Sequence, residues 1–144
     1  MNLSKEELER YSRQFTLSGW SLELQLKLKD LKVSISPKLL SAAYYLSAIG
    51  VGNISIKTQD KNLDRLRMLN PEVNITKDEF KDEDFRISTS QSQSRSPQIY
   101  IEDSKLRTPS INQAIDIPST LNNIDSDSLG PLLACALIKE VINS

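Results

Sequence analysis

The chain has 144 residues and a formal net charge of -1, from 18 Lys and Arg against 19 Asp and Glu. A chain of this length can form a single domain with its own core, and its balanced charge creates no field that attracts nucleic acid or an anionic membrane. One cysteine and no histidine exclude disulfide frameworks, Cys/His zinc sites and Ser-His or Cys-His catalysis within this chain.

The hydropathy pattern predicts neither membrane insertion nor export. The longest apolar run, residues 39–51, is interrupted by serines and is shorter than the roughly 20 residues needed to cross a bilayer. Residues 1–9 are polar and acidic, without the apolar centre of a signal peptide. We therefore expect a soluble, cytoplasmic protein with no membrane partner and no nucleic-acid partner.

Residues 1–31 are predicted to form a helical arm. Ser4 and Glu7 have the spacing of a capping box, which predicts a helix over residues 4–13, and the polar surface of that helix indicates an arm outside the core. Leucines then alternate with polar residues over residues 22–28, as in a half-buried strand, although these residue types favour a helix. The residues by themselves leave this segment open between the two.

The core, residues 32–144, is predicted to begin with a strand, a helix and a second strand. Residues 33–35 are a short apolar run, and Ser36-Pro37 combines an N-cap residue with proline at the first helical position. Gly50 supplies a left-handed exit from the helix before a strand over residues 54–56. Such a unit predicts two parallel strands.

The rest of the core is predicted to continue the alternation of helices and strands. The elements are a helix over residues 60–69, strands over 73–75 and 98–101, a short helix from Thr108, a strand over 114–117 and a buried helix over 128–142. The polar, serine-rich residues 88–97 predict a mobile loop within the same domain. Cys135 falls inside the apolar pattern of the last helix, which favours a packed structural thiol over a nucleophile.

Several short motifs resemble those of one enzyme family. Residues 9–15, Glu-Arg-Tyr-Ser-Arg-Gln-Phe, resemble the E-R-Y-x-R-Q-I/L opening of the ThiF, MoeB and HesA family, adenylating enzymes related to ubiquitin-activating enzymes. Residues 45–54 resemble its Y-L-A-x-A-G-V-G-x-I segment, and residues 69–73 its L-N-P-x-V segment. The resemblance implies an α/β fold, a Rossmann-like three-layer α/β/α domain with a mainly parallel sheet, reduced in size. It also implies a helix over residues 21–30.

The phosphate-binding loop of that family has no counterpart here. Family members place G-x-G-G-x-G after the first strand, where glycines let backbone amides approach phosphate. Here residues 35–40 read Ile-Ser-Pro-Lys-Leu-Leu, which is shorter and lacks glycine, and Pro37 has no amide to donate. Lys57-Thr58 replaces the acidic residue that holds the ribose in the family. We expect no cofactor in the isolated chain, and ATP and Mg²⁺ only where a partner completes the site.

Four residues match, or lie near, positions that bind nucleotide or metal in the family. Arg13 matches an arginine that reaches the nucleotide phosphates of the partner subunit in the dimer; the alternative is a surface ion pair. Asn62 and Arg65 resemble an N-L-x-R phosphate-contacting element, or else belong to a solvated helix face. Asp103 lies near the position of a Mg²⁺-binding aspartate, or else is a loop charge or helix cap.

Three functions remain open at this point. The first is a degenerate, non-catalytic member of the family that forms a homodimer, or a heterodimer with an active ThiF/MoeB-like protein that adenylates a ubiquitin-like or sulfur-carrier protein. The second is a binding or scaffold module on the same fold. The third is a reduced ATP-dependent adenylating enzyme that uses Asn62, Arg65 and Asp103 in an altered geometry.

Overall fold

The computed structural model describes residues 3–14, 20–89, 96–102, 105–109, 115–116 and 130–142. Its helices are α1 Lys5–Arg10, α2 Leu22–Asp30, α3 Leu40–Ile49, α4 Asp60–Leu69 and α5 Gly130–Ile142, with a 3-10 turn at Pro37–Leu39. Its strands are β1 Lys32–Ile35, β2 Asn53–Ile56, β3 Asn74–Thr76, β4 Phe85–Ser88, β5 Gln98–Glu102, β6 Lys105–Arg107 and β7 Ile115–Asp116. None of the helices in these ranges has the length and apolar character that a membrane span requires.

The described strands form one sheet in the order β3-β2-β1-β4-β5-β6-β7. The five strands from β3 to β5 are parallel, and β6 and β7 add antiparallel pairs at the edge. This arrangement confirms the predicted α/β fold with a mainly parallel sheet. The strand order reverses between β1 and β4, and ligands of open α/β sheets bind at the carboxyl ends of strands at such a point.

The two faces of the sheet differ in polarity. Residues paired between neighbouring strands point to the same face, so each face is formed by alternate residues of every strand. One face is apolar and packs with α3, α4 and α5 into a single hydrophobic core. Its strand residues include Val33, Ile35, Ile54, Ile56, Ile75, Ile87 and Ile99. The opposite face carries Ser34, Ser55 and Arg86 in register.

A non-helical segment, residues 77–84, crosses over the polar face. The Ser55 hydroxyl donates to the Asp78 carbonyl at 2.8 Å, which attaches this segment to β2. Ser34 and Ser55 are both buried although neither is apolar. The Ser55 hydroxyl has this partner in the segment, whereas the Ser34 hydroxyl has no hydrogen-bond partner among the described residues. Within the described residues, this short segment is the layer that covers the polar face of the sheet.

The alternating leucines of residues 22–28 form a helix, so the strand that periodicity suggested is wrong and the helix implied by the family resemblance is confirmed. Ser21 caps α2 by accepting a hydrogen bond from the Leu24 amide at 3.1 Å. Leu24 and Leu28, one helical turn apart, are buried, whereas Leu22 is exposed. Over so few residues, alternating leucines fit a strand as well as they fit a helix with an apolar pair at i and i+4.

Other differences from the sequence predictions concern short strands and element ends. β4 and β6 were not predicted, and β4 includes Ser88, the first residue of the expected mobile loop; residues 90–95 of that loop lie outside the described residues. The helix expected from Thr108 lies mostly outside them as well, while β7 falls within the strand predicted over 114–117. The helix predicted over residues 4–13 ends at Arg10. Strands as short as β4 carry too little periodicity to be distinguished from loops.

The N-terminal arm is docked on the domain, so the expectation that it lies outside the core is wrong. Tyr11 is only 2 % exposed, and its hydroxyl accepts a hydrogen bond from Asn70 Nδ2 at 2.8 Å. Gln14 Nε2 donates to Gln25 Oε1 at 2.8 Å and to the Ile49 carbonyl at 3.1 Å. We call Tyr11, Gln14, Gln25 and Asn70 the arm cluster. It lies at the amino edge of the sheet, where α3 and α4 end before β2 and β3 begin.

Glu7 forms a second attachment of the arm. Its carboxylate accepts from Lys29 Nζ at 2.8 Å and, within the capping box, from the Ser4 amide at 3.1 Å. Burial raises the pKa of Glu7, but the hydrogen bonds from Lys29 and Ser4 and the charge of Lys29 together lower it below its ordinary value of 4.5. The lowered pKa means that folding favours the ionised carboxylate.

Replacing Glu7 by glutamine is expected to lower the free energy of unfolding by about 1–2 kcal/mol at neutral pH. Because the folded-state pKa is lowered, this stability is present above the ordinary value of 4.5 and is lost as the pH falls through the folded-state pKa. Urea unfolding across the acidic range measures the difference, with the exposed Glu9→Gln on the same helix as the matched control. A Glu7→Gln deficit that stays constant with pH would contradict this account.

Candidate functional site

A cavity of about 320 Å³ opens at the carboxyl ends of β1, β2 and β4, where the strand order reverses. Hydroxyl side chains form much of its wall: Ser34, Ser36, Ser55, Ser88 and Thr89. Lys57, Glu79 and Arg86 add charged groups. The cavity therefore lies where this type of sheet holds its ligands, between the polar face and the crossing segment 77–84.

The backbone that follows β1 is closed on itself at the cavity. The Ser36 amide donates to the Ile87 carbonyl at 2.9 Å, and the Leu39 amide donates to the Ser36 carbonyl at 2.9 Å to close the 3-10 turn. Pro37 has no amide hydrogen. Of the four positions from Ser36 to Leu39, these three have no amide left for a ligand. The backbone here consequently provides no row of amides that could surround a phosphate.

Lys57, the residue found where the family holds the ribose, is paired across the cavity mouth. Its Nζ lies 2.9 Å from Glu79 Oε1, and both side chains are largely exposed. The hydrogen bond from Lys57, and then its positive charge, lower the pKa of Glu79 below the ordinary value. Because the pair lies in solvent, it contributes little to stability, and its main effect is to cancel the charge of Lys57 at the site.

Arg86 is held by a buried carboxylate. Its Nε donates to Glu83 Oε1 at 2.9 Å, and Ser96 Oγ donates to the same oxygen at 3.0 Å. The Glu83 side chain is 5 % exposed, against 34 % for Arg86. Burial raises the pKa of Glu83, but hydrogen bonds from Arg86 and Ser96, together with the charge of Arg86, lower it below the ordinary value. Glu83 is thus ionised at neutral pH and fixes the guanidinium at the cavity wall.

Among the described residues that line the cavity, the cations are paired. Lys57 and Arg86 are each paired with a carboxylate, Glu79 and Glu83 respectively. A site of zero formal charge gives no net attraction to a ligand that carries several negative charges. The arrangement suits a neutral or singly charged ligand better than a polyphosphate.

Three residues predicted from the family resemblance, Arg13, Asn62 and Arg65, are not among those that line this cavity. Arg13 is exposed, and its neighbours Tyr11 and Gln14 belong to the arm cluster at the opposite edge of the sheet. Asn62, in the first turn of α4, donates to Thr58 Oγ1 at 2.9 Å, close to the carboxyl end of β2. Arg65 lies on the exposed side of the same helix, one turn further along.

Asp103 lies outside the described residues. It follows β5, whereas the strand next to β1 at the point of reversal is β4. The suggested role of Asp103 near a Mg²⁺-binding position therefore stays a prediction. Arg86, on β4 itself, is a charged residue that lines the cavity.

Glu79, Glu83 and Arg86 are functional candidates that the sequence analysis missed. The available signal was an arginine inside a short run, Phe-Arg-Ile-Ser, directly after the acidic residues of segment 77–84. An arginine on a strand needs a partner when it is partly buried, and Glu83 lies three positions before it. Sequence spacing alone does not separate this pair from an ordinary surface pair.

Cys135 is exposed, so the prediction of a packed structural thiol is wrong. The buried stripe of α5 runs through Leu133, Leu137 and Val141, four residues apart, and Cys135 lies on another side of the helix. A helix this apolar carries hydrophobic residues on its outer side as well, which is why its pattern could not locate the thiol. Within the described ranges no three His, Cys, Asp or Glu side chains are grouped as metal ligands.

No family model and no curated protein matches the sequence. Among solved structures, PaaA is similar with a TM-score of 0.67 and 14% identity over 98% of this chain and 76% of PaaA. MccB of E. coli with ATP gives a TM-score of 0.57 and 15% identity, over 97% of this chain and 65% of MccB. The E. coli tRNA N6-threonylcarbamoyladenosine dehydratase TcdA gives 0.50 and 17%, over 64% and 54%.

These proteins belong to the ThiF/MoeB adenylating superfamily, and at such identities the likeness shows the fold alone. The Rossmann-like fold of that superfamily, implied by the sequence motifs, is thereby confirmed for this chain. The chain spans less than two thirds of the length of MccB and about half that of TcdA.

Proposed function

We propose that the chain is a non-catalytic ThiF/MoeB-like domain that acts in the cytoplasm as a dimerisation or regulatory subunit. One observation carries this proposal: the turn after β1, where Ser36 and Leu39 use their amides within the protein and Pro37 has none. In proteins that hold nucleotide phosphates at this point, free amides and a helix N-terminus provide the binding energy. A domain whose turn offers no row of free amides binds ATP poorly on its own.

The comparison with MccB supports the same conclusion. An E. coli MccB structure of this fold contains ATP, so the fold as such accommodates the nucleotide. Weaker ATP binding by this chain would then come from local chemistry. In its cavity, the amides of Ser36 and Leu39 are used within the protein, and the described charged residues form pairs of opposite sign. ATP, which carries several negative charges, gains neither hydrogen bonds from the turn nor a net electrostatic attraction.

The proposed partner is a second copy or an active ThiF/MoeB-like protein, which would adenylate a ubiquitin-like or sulfur-carrier protein with ATP and Mg²⁺. Arg13 is exposed at the end of the docked arm and away from the cavity of its own chain, as a residue that acts on a partner would have to be. A planar, permanently charged guanidinium suits contact with phosphate oxygens. The arm cluster holds the backbone on either side of Arg13, so the position of this residue is set by folding.

Titration calorimetry with ATP and Mg²⁺ tests the absence of a nucleotide site. The expected result is no saturable heat for this chain up to about 1 mM ATP, a range in which adenylating enzymes bind it. E. coli MccB, whose structure with ATP is known, is the positive control under the same conditions. Saturable ATP binding together with carrier-dependent pyrophosphate exchange would overturn the proposal in favour of a reduced enzyme.

The subunit role is tested by isolating the chain from its native cells and identifying what accompanies it. An adenylating homologue in stoichiometric amount, or a homodimer by light scattering, supports the role. Recovery as a monomer without any such homologue contradicts it. A binding module on the same fold is the second candidate, and the observation that favours it is the guanidinium of Arg86 fixed at the cavity wall.

A further inference from the structure

The guanidinium of Arg86 is arranged as a binding group. Its Nε is occupied by Glu83, which is almost completely buried. Neither terminal nitrogen is hydrogen-bonded to any of the described residues, although the side chain lines the cavity. A guanidinium held at Nε and open at both terminal nitrogens presents two parallel donors, the geometry that a carboxylate accepts best.

The cavity surrounding Arg86 adds groups that recognise hydroxyl or amino substituents. Ser36, Ser88 and Thr89 line it at the carboxyl ends of β1 and β4. Hydroxyl groups both donate and accept, so they can bind either type of substituent. The volume of about 320 Å³ holds about ten waters at about 30 Å³ each, which limits the ligand to a small molecule.

The pairing of charges determines which anion fits. Lys57 is neutralised by Glu79, and Arg86 shares its charge with Glu83. A ligand with a single negative charge can use the two open donors of Arg86, whereas each additional negative charge approaches two ionised carboxylates and finds no unpaired cation among the described lining residues. The site therefore discriminates against phosphate esters and polyphosphates.

We infer that this cavity binds a small monocarboxylate that bears a hydroxyl or amino group, with the carboxylate on the terminal nitrogens of Arg86. Glu83 is the positioning residue, because it fixes the plane of the guanidinium through Nε. The inference goes beyond the proposed subunit role and does not depend on it. A domain that does not bind ATP can still bind such a ligand. The subunit role and the monocarboxylate site are therefore tested with different molecules.

NMR titration of the ¹⁵N-labelled chain with L-lactate provides the test. Saturable shifts are expected at the Arg86 Nε–Hε group and the Ser88 and Thr89 amides, with a dissociation constant on the order of 1–10 mM for so small a ligand. Propane-1,2-diol, which replaces the carboxylate by an alcohol, is expected to bind at least about tenfold more weakly because it cannot form the charge-assisted pair. Inorganic phosphate at matched ionic strength tests the preference for a single charge.

The matched variant is Glu83→Gln combined with Arg86→Gln. It removes one charge of each sign, so the net charge of the chain and the long-range field are unchanged, and no buried carboxylate is left unpaired. Lactate affinity is expected to fall at least about tenfold in this variant and to be unchanged in Lys5→Gln, an exposed site on α1 at the other edge of the sheet. Should the double variant not fold, Arg86→Lys retains the charge but loses the planar fork, and is expected to bind several-fold more weakly.

Three results would overturn the inference: no saturable lactate shifts, shifts that persist in the double variant, or tighter binding of phosphate than of lactate. Each leaves the proposed subunit role standing, because that role fails only on ATP binding with carrier-dependent pyrophosphate exchange or on isolation as a lone monomer. Conversely, a finding that the chain binds ATP would not decide the monocarboxylate inference, which depends only on the lactate titration.

Discussion

Replacing Gly52 by alanine is expected to leave the chain largely unfolded. A Cβ atom at this position would lie 1.6 Å from the Lys29 carbonyl oxygen, far inside any real contact. The backbone cannot move away easily, because the Gly52 amide donates to the Leu28 carbonyl at 2.9 Å and its carbonyl accepts from the Asn74 amide at 2.8 Å. The end of α2, the start of β2 and the start of β3 would all have to shift.

The expected loss exceeds about 4 kcal/mol, a large part of the roughly 5–15 kcal/mol that stabilises a domain. Urea unfolding followed by circular dichroism measures it. Gly50→Ala is the graded control: its φ of 98° favours glycine, but a Cβ there would meet side-chain atoms of Gln25 and Tyr11 and no backbone atom at so short a distance, so a smaller loss of about 1–3 kcal/mol is expected. A Gly52→Ala variant as stable as Gly50→Ala would contradict the close approach of α2 to β2.

Replacing Asn70 by aspartate is expected to cost about 3 kcal/mol at neutral pH. Asn70 is fully buried, and its Nδ2 donates to the Tyr11 hydroxyl at 2.8 Å and to the Ser47 carbonyl at 2.7 Å. Aspartate has nearly the same shape but no donor, so a carboxylate oxygen would face the Ser47 carbonyl. The change would replace the bond to the Ser47 carbonyl, at the end of α3, by a repulsion and would reverse the direction of the bond with Tyr11, without creating a cavity.

Asn74→Asp is the matched control, because Asn74 is exposed and the Nδ2 atom of its side chain makes only a 3.4 Å contact with Asn53 Oδ1. A change within about 0.5 kcal/mol is expected there. Protonation of the new carboxyl at position 70 restores one donor, so the deficit of Asn70→Asp relative to the unmodified chain is expected to shrink at about pH 4. Equal effects at positions 70 and 74 would show that the arm cluster does not anchor the arm.

The arm cluster also explains most of the motifs that carry the family resemblance. Tyr11 and Gln14 of the opening motif contact Asn70 of the Leu-Asn-Pro segment and Ile49 before the Gly-Val-Gly segment. These motifs are separated in sequence but meet at one edge of the sheet, where they hold the arm. These motifs therefore have a structural role in this chain, and their presence does not by itself indicate a nucleotide site.

Local sequence was sufficient where an element is stabilised by its own residues. The capping box of Ser4 and Glu7, the exit at Gly50 and the helix α4 depend on contacts within a few positions, and all three were predicted. β4 was missed because it has only two apolar residues and an arginine, whose burial is tolerated through Glu83. The pairing of β4 with β1 and β5 supplies the rest of its stability, and no short-range pattern records that pairing.

The amino-acid sequence by itself determined the class of fold, the helix caps and the absence of a glycine-rich loop, because these follow from residue types at short spacing. Only the tertiary structure decided where the charged groups meet. The cavity combines residues from β1, β2, segment 77–84 and β4, so its neutral charge and the fixed guanidinium of Arg86 arise from long-range pairing. Such pairing depends on strand order and register, which a single chain read along its length does not specify.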